Sequence, residues 1–125
     1  MRGNTAVNNI KMFLNDVLSE YAPSFFLLAG SGFPRLVYEL KQLYTDEQYN
    51  KYLLTINIYD INTTERIDDI ADKIYANISR ATYTQGNRHY KFYNNSDRQY
   101  INESDKTIFR IMMTLELRVY TRKDD

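Results

Sequence analysis

The chain has 125 residues, 43% of them hydrophobic and 26% charged, which suits one soluble globular domain spanning 1–125. Sixteen Lys and Arg balance sixteen Asp and Glu, so the net charge is zero and argues against strong non-specific binding to nucleic acid or an anionic membrane. Cysteine is absent, which excludes disulfides and thiolate metal sites and fits a cytosolic origin.

The N-terminal stretch has one early Arg and then a polar, amphipathic run, unlike a signal peptide. Asn4 or Thr5 is placed to cap a first helix. Val7, Ile10, Leu14, Val17, Leu18 and Tyr21 recur at helical spacing, with Phe13 beside the stripe. Pro23 is expected to end this helix, because the residue before a proline is pushed out of the helical region. Phe25 to Ala29 is the longest apolar run and is far too short to cross a bilayer. It reads as a short strand or a packed loop. Gly30-Ser31-Gly32 follows, but no Lys comes after it and Pro34 stands where a helix should start, so the phosphate-loop patterns are absent. Ser31 also lacks nucleophile-elbow spacing.

Arg35 to Leu43 alternates as a strand, Thr45-Asp46-Glu47 reads as a turn, and Tyr52 to Asp60 returns as a second strand of the same hairpin. Leu54, Ile56 and Ile58 mark the buried face of that second strand. Asn62 to Glu65 then resembles a capping box, with Glu65 three residues after Asn62. Ile67, Ile70, Ala71, Ile74, Ile78 and Ala81 lie on one face of a helix of about five turns. Fully burying each Ile is worth roughly 1.5–3 kcal/mol, so this helix needs a sheet to lie on.

Gln85-Gly86-Asn87 breaks the chain, and Arg88 to Tyr93 alternates weakly as a strand. Asn94 to Asp97 reads as a turn, Arg98 to Ile101 as a continuation of the strand, and Asn102 to Lys106 as another turn. The last strand shows the cleanest alternation. Phe109, Ile111, Met113, Leu115, Leu117 and Val119 point one way; Arg110, Met112, Thr114, Glu116, Arg118 and Tyr120 point the other. Arg122 to Asp125 reads as a frayed tail. The order α-β-β-α-β-β predicts an α+β domain, an antiparallel sheet of about four strands with both helices on one face.

Chemistry-bearing constellations are sparse. Asp68 and Asp72, four apart on the second helix, can hold a divalent cation, or can keep a helix face in water beside an Asp69–Lys73 pair. The lone His89 has no carboxylate nearby in sequence and no Cys to share a metal. Four Asn-x-Ser/Thr sequons, at Asn62, Asn77, Asn94 and Asn102, fit chance in an Asn-rich chain. The abundance of Tyr and Asn itself fits either interface use or codon bias in an AT-rich genome. Arg88, Lys91 and Arg98, interleaved with Tyr90, Phe92, Tyr93 and Tyr100, resemble a stacking platform for single strands. The alternative is a Tyr-rich hairpin that packs or pairs with protein. No nucleophile–base pair stands out, and neither a catalytic, cofactor nor metal residue is assigned. The long last strand with an Arg-bearing outer face suits protein–protein assembly through Arg110, Arg118 and Tyr120.

The layout resembles the tail-terminator, or tail-completion, proteins of long-tailed bacteriophages. The resemblance lies in an amphipathic helix (Val7 to Tyr21), a proline-containing entry to a strand (Phe33-Pro34-Arg35-Leu36-Val37-Tyr38-Glu39-Leu40), and a strand leading into a capped helix (Leu54 to Asp60, then Glu65 to Ile78). A polar turn and a long alternating strand (Asp105 to Arg122) close it. It rests on patterning along nearly the whole chain; Phe25 to Gly32 and His89 to Ile101 match nothing in it. It implies a structural virion protein without cofactor, assembled in the host cytoplasm. It also implies a homo-oligomeric ring, usually a hexamer, at the head-proximal end of the tail. Its partners would be the tail-tube protein and a head-completion or neck protein, without membrane or sequence-specific nucleic acid. Related folds serve as tail-tube or neck proteins.

Overall fold

The computed structural model describes residues 2–26, 32–45, 49–79 and 81–121. The chain runs α1 (Arg2–Leu18), β1 (Ser24–Phe26), β2 (Arg35–Thr45), β3 (Tyr49–Ile61), α2 (Glu65–Asn77), β4 (Thr82–Gln85), β5 (Arg88–Ile101) and β6 (Ile108–Thr121). The strands form one sheet in the order β1-β2-β3-β6-β5-β4. Strands β2 to β6 are antiparallel, and the three-residue β1 adds to the β2 edge in parallel. The α+β class and antiparallel sheet therefore match expectation; the strand count and the α-β-β-α-β-β order do not, because β1 precedes the first hairpin and β4 follows α2. Two short edge strands, β1 and β4, are too brief to show a period in sequence.

The central pair is β3 with β6, in register from Tyr49↔Tyr120 to Ile61↔Ile108. Alternation then decides which side of the sheet is dry. Tyr52, Leu54, Ile56 and Ile58 of β3 and Ile111, Met113, Leu115, Leu117 and Val119 of β6 are buried on the same side. Leu36 and Tyr38 of β2 and Tyr90 and Phe92 of β5 extend that layer outward. Both helices cover it. Ile10, Phe13, Leu14 and Leu18 of α1 and Ile67, Ile70, Ala71 and Ile74 of α2 join the same core.

Contacts on two sides fix where α1 crosses. On the β2 side, the buried Tyr38 hydroxyl lies 3.1 Å from the Lys11 carbonyl and 3.3 Å from Asn15 Oδ1. On the β5 side, Phe13 stacks on Tyr90 at 3.8 Å between ring centroids and meets Tyr83 edge-on at 5.4 Å. Such aromatic pairs add about 0.5–1.5 kcal/mol each beyond area burial.

Several local expectations need correction. Helix α1 ends at Leu18, five residues before Pro23, with Ser19 N–H still bonding Asn15 O and Tyr21 N–H closing on Leu18 O. The turn, rather than the proline, stops it. Helix α2 has 13 residues instead of five turns; Ile78 is its C-cap, buried below the last turn, and Ala81 packs against the core outside the helix. No capping box forms. Thr64 is the N-cap without a side-chain bond, and Thr63 Oγ1 accepts from Glu65 N–H at 3.2 Å. Asn62 sits at φ 70, a left-handed position that Asn tolerates, and its N–H reaches Thr107 O at 2.7 Å. Asn94 to Asp97 is strand, not turn: β5 continues through register shifts between Asn94 and Ser96 and between Ser96 and Gln99. Each shift inserts one extra residue, so polar, turn-like sequence is accommodated as bulges. Gly86, at φ +62 in the β4–β5 turn, and Gly32, at φ +90 ahead of β2, use the conformational freedom that glycine gives. The expectations for Leu27 to Ser31, Asp46-Glu47 and Arg122 to Asp125, and for the side chain of Val7, lie outside the described residues.

At the junction of β3 and α2, Asp60 is wholly buried and accepts two bonds from Arg66, each 2.7 Å, and one from Ile61 N–H at 2.8 Å. The Arg66 side chain is 54% exposed, so the pair is asymmetric. Removing the arginine leaves a buried carboxylate with one partner, whereas Asp60→Asn leaves a group able to accept from Ile61 N–H. Arg66→Met is expected to cost about 3 kcal/mol and Asp60→Asn about 1 kcal/mol, read as urea-unfolding midpoints. Equal losses would contradict the asymmetry.

Burial also raises the pKa of Tyr38, Tyr52 and Tyr90 above 10.0. For Tyr90 the smaller pull of Arg88 is downward, and its buried hydroxyl has no hydrogen bond of normal geometry. A raised folded value means that the protonated form is favoured by folding. The contribution is complete below the unfolded value and is lost as pH rises through the folded values. Tyrosinate absorbance followed with circular dichroism should therefore show part of the ionisation delayed until the fold is lost; full ionisation of a still-folded chain would contradict this.

Candidate functional site

The other side of the sheet carries no helix among the described residues, and alternation sets what it shows. Paired residues share a face, so neighbouring strands build rows across it. One row is Arg35–Tyr59–Arg110–Ile101; the next is Val37–Asn57–Met112–Gln99. Towards the opposite end come Lys41–Leu53–Glu116–Tyr93, then Lys51–Arg118–Lys91–Thr82, then Tyr49–Tyr120–His89–Thr84.

The side chains on this face hold one another. Arg35 lies 5.4 Å and Arg110 5.6 Å from the Tyr59 ring centroid, and Arg35 also covers Phe33 at 4.4 Å. Arg110 Nε donates to Asn57 Oδ1 at 2.9 Å, and its Nη1 lies 3.4 Å from Glu103. These layers of guanidinium over ring explain how Val37 and Asn57 are buried without a helix above them. At the other end, Arg118 lies 4.6 Å from the Tyr93 ring and 5.3 Å from the Tyr49 ring, and Lys91 lies 5.2 Å from Tyr120. Tyr49 and Tyr120 pack at 5.1 Å. Glu116 takes Arg118 Nε at 2.5 Å and Lys51 Nζ at 3.5 Å, and holds the Arg118 guanidinium above its ordinary pKa. An open pocket of about 400 Å³, lined by Thr82, Lys91, Phe92 and Tyr93, adjoins Lys91.

A second feature is an edge. β4 pairs with β5 only from Arg88 to Lys91, and Phe92 N–H bonds Ala81 O. From Tyr93 to Ile101, β5 has no strand on its outer side among the described residues. Tyr93 and Asn94 to Asp97 are exposed there, with Asn95 Nδ2 2.8 Å and Ser96 Oγ 2.5 Å from Thr114 Oγ1.

The seven residues singled out in sequence are therefore divided. Arg110, Arg118 and Tyr120 stand on the open face. Arg88, Tyr90, Phe92 and Arg98 have the opposite parity and lie on the helix side. Tyr90 and Phe92 are 0% and 1% exposed, so they cannot serve as a stacking platform. Arg98 reaches α2 instead, donating to Asp68 Oδ1 at 3.0 Å and to Asp72, while Tyr100 donates to Asp68 at 2.5 Å. That bond to Asp68 raises the Tyr100 pKa, and the two carboxylates raise that of Arg98. The paired carboxylates thus have an arginine between them. Asp69 and Lys73 form the expected i,i+4 pair at 3.0 Å. His89 Nδ1 lies 3.0 Å from Thr84 Oγ1, and no group of three His, Cys, Asp or Glu among the described residues could hold a metal.

Lys51, Lys91, Tyr49 and Tyr93 complete the open-face array. Their parity was legible once Leu54 and Phe92 were buried, but the cross-strand register that lines them up was not. Compared with known proteins, the chain matches no family model and no curated protein.

Among the described residues, Glu116 is the carboxylate that pairs with the Lys51–Arg118–Lys91 row. Glu116→Gln should leave three cations opposite one another, lowering stability by about 1 kcal/mol at low salt and by much less at high salt. Urea titrations at the two ionic strengths check this; a salt-independent loss would point to packing instead.

Proposed function

We propose that the chain is a ring-forming structural protein of a long-tailed phage, a tail terminator or a related neck or tail-tube component. In this role it ends tail-tube polymerisation and joins the tail to the head. What supports the reading is the order of elements: an amphipathic helix, a hairpin, a second helix and a long closing strand. The observation that carries it is the nine-residue edge of β5, Tyr93–Ile101, which no strand of the described residues covers, on a sheet whose described helices pack on one face. A free edge and an uncovered face on one subunit suit a head-to-tail contact, which closes into a ring when the rotation allows.

Arg110 stands beside that edge, opposite Ile101, and is the residue assigned to the joint. Arg118 and Tyr120 lie at the far end of the same face. The tail-tube protein on one side of the ring and a head-completion protein on the other are the partners this role requires. Catalysis and a cofactor are not part of it.

Light scattering with negative-stain images of the same fraction tests the reading. Six copies of the 14.9 kDa chain would weigh about 90 kDa. A closed ring near that mass is expected, alone or after mixing with tail-tube protein, and Arg110→Glu should shift it to monomer while circular dichroism stays unchanged. A monomer under both conditions would overturn the reading, and a ring untouched by Arg110→Glu would overturn the assigned joint.

A further inference from the structure

Register, not composition, puts Lys51, Arg118 and Lys91 side by side on three adjacent strands. Strands lie about 4.8 Å apart, so three cations share roughly 10 Å of one face. Like charges directly opposite each other oppose folding. Among the described residues Glu116 is the carboxylate that pairs with this row, and it engages Lys51 and Arg118. Lys91 has the Tyr120 ring beneath it and the Thr82–Tyr93 pocket beside it. The flanking rows bring Tyr49 and Tyr120 on one side and Tyr93 on the other. A cation row bounded by aromatic rows is the arrangement that holds a phosphate backbone while bases stack.

Zero net charge does not by itself oppose this, because four of the acidic residues are engaged elsewhere in the fold. Asp60, Asp68, Asp69 and Asp72 all lie on the helix side or in α2, where Arg66, Arg98 and Lys73 engage them. At the sheet end that carries Lys41, Lys51, Lys91 and Arg118, the carboxylates on the same face among the described residues are Glu116 within these rows and Glu39 in the adjoining row.

We infer that the Lys51–Arg118–Lys91 row, with Tyr49, Tyr93 and Tyr120, is a binding site for single-stranded nucleic acid without sequence preference. Phosphates lie along the cations, and bases stack on the exposed parts of the flanking rings. The site lies at the far end of the face from Arg110, and the inference is independent of the ring reading. Binding measured on a monomer counts as fully as binding measured on an assembly.

Fluorescence anisotropy with a labelled oligothymidylate of about 15 nucleotides, a length that covers one such platform, tests it. Neutralising three phosphates predicts a log–log salt slope of about −2. Lys91→Gln with Lys51→Gln should weaken binding at least tenfold while leaving the melting temperature unchanged or higher, because like-charge repulsion is relieved. A purely structural role would show the opposite pair of effects. Tyr120→Ala should weaken binding about tenfold, within the range measured for one stacked base. Lys73→Gln, on the helix side, should leave binding unchanged.

Absence of salt-sensitive binding, or binding indifferent to the double lysine variant, would overturn the inference. Equal affinity for a duplex of the same length would overturn the single-strand assignment. Equal affinity for polyglutamate would replace nucleic acid by an acidic polypeptide as the occupant.

Discussion

The pairing of β3 with β6 runs unbroken from Tyr49↔Tyr120 to Ile61↔Ile108, and the rest of the structure hangs on its register. A slip by one residue would turn Leu54, Ile56 and Ile58 to the open face and bring Lys51 and Thr55 beneath the helices. The penalty would be several buried side chains at roughly 1.5–3 kcal/mol each. The same register that dries one face therefore determines the rows of cations and rings on the other. Core and candidate site are two readings of one alternation.

The helices differ in how they are tied to this sheet. α1 is held by long-range contacts at both ends of its crossing, Tyr38 on one side and the Phe13–Tyr90 stack on the other. α2 is held by its Ile face and by two polar ties, Arg66 to Asp60 and Arg98 to Asp68 and Asp72. The second tie joins the end of β5 to α2 after two bulges. Because each bulge adds one residue, parity is restored beyond them and Arg98 returns to the side of Tyr90 and Phe92. A single bulge would have put Arg98 on the open face and left Asp68 and Asp72 facing each other unpaired.

Period-2 alternation in Leu54–Ile58 and Phe109–Val119, and the spacing of Ile67, Ile70 and Ile74, made the central strands and α2 legible in the sequence. These signals come from burial on one face, which each segment records by itself. What stayed hidden was whatever depends on a partner distant in the chain. β5 is read as two pieces because Asn94 to Asp97 has turn composition, yet pairing with Thr114 and its neighbours holds it in the sheet. Tyr90 and Phe92, taken for a surface platform, are core residues because Phe13 covers them. The Asp68–Asp72 pair, read as a metal candidate or a solvated face, turned on Arg98, about thirty residues further along. The cation row needed the β3–β6–β5 order, which non-sequential neighbours do not announce.

The absence of cysteine makes the register directly measurable. Thr55 and Thr114 are partners on the open face, away from the core. A Thr55→Cys, Thr114→Cys variant should crosslink readily under mild oxidation, whereas Thr55→Cys with Met113→Cys, offset by one residue and on the opposite face, should not. Crosslinking of the paired variant alone is the result the account requires. Crosslinking of the offset pair in its place would mean a slipped sheet, and would remove both the core and the cation row as described.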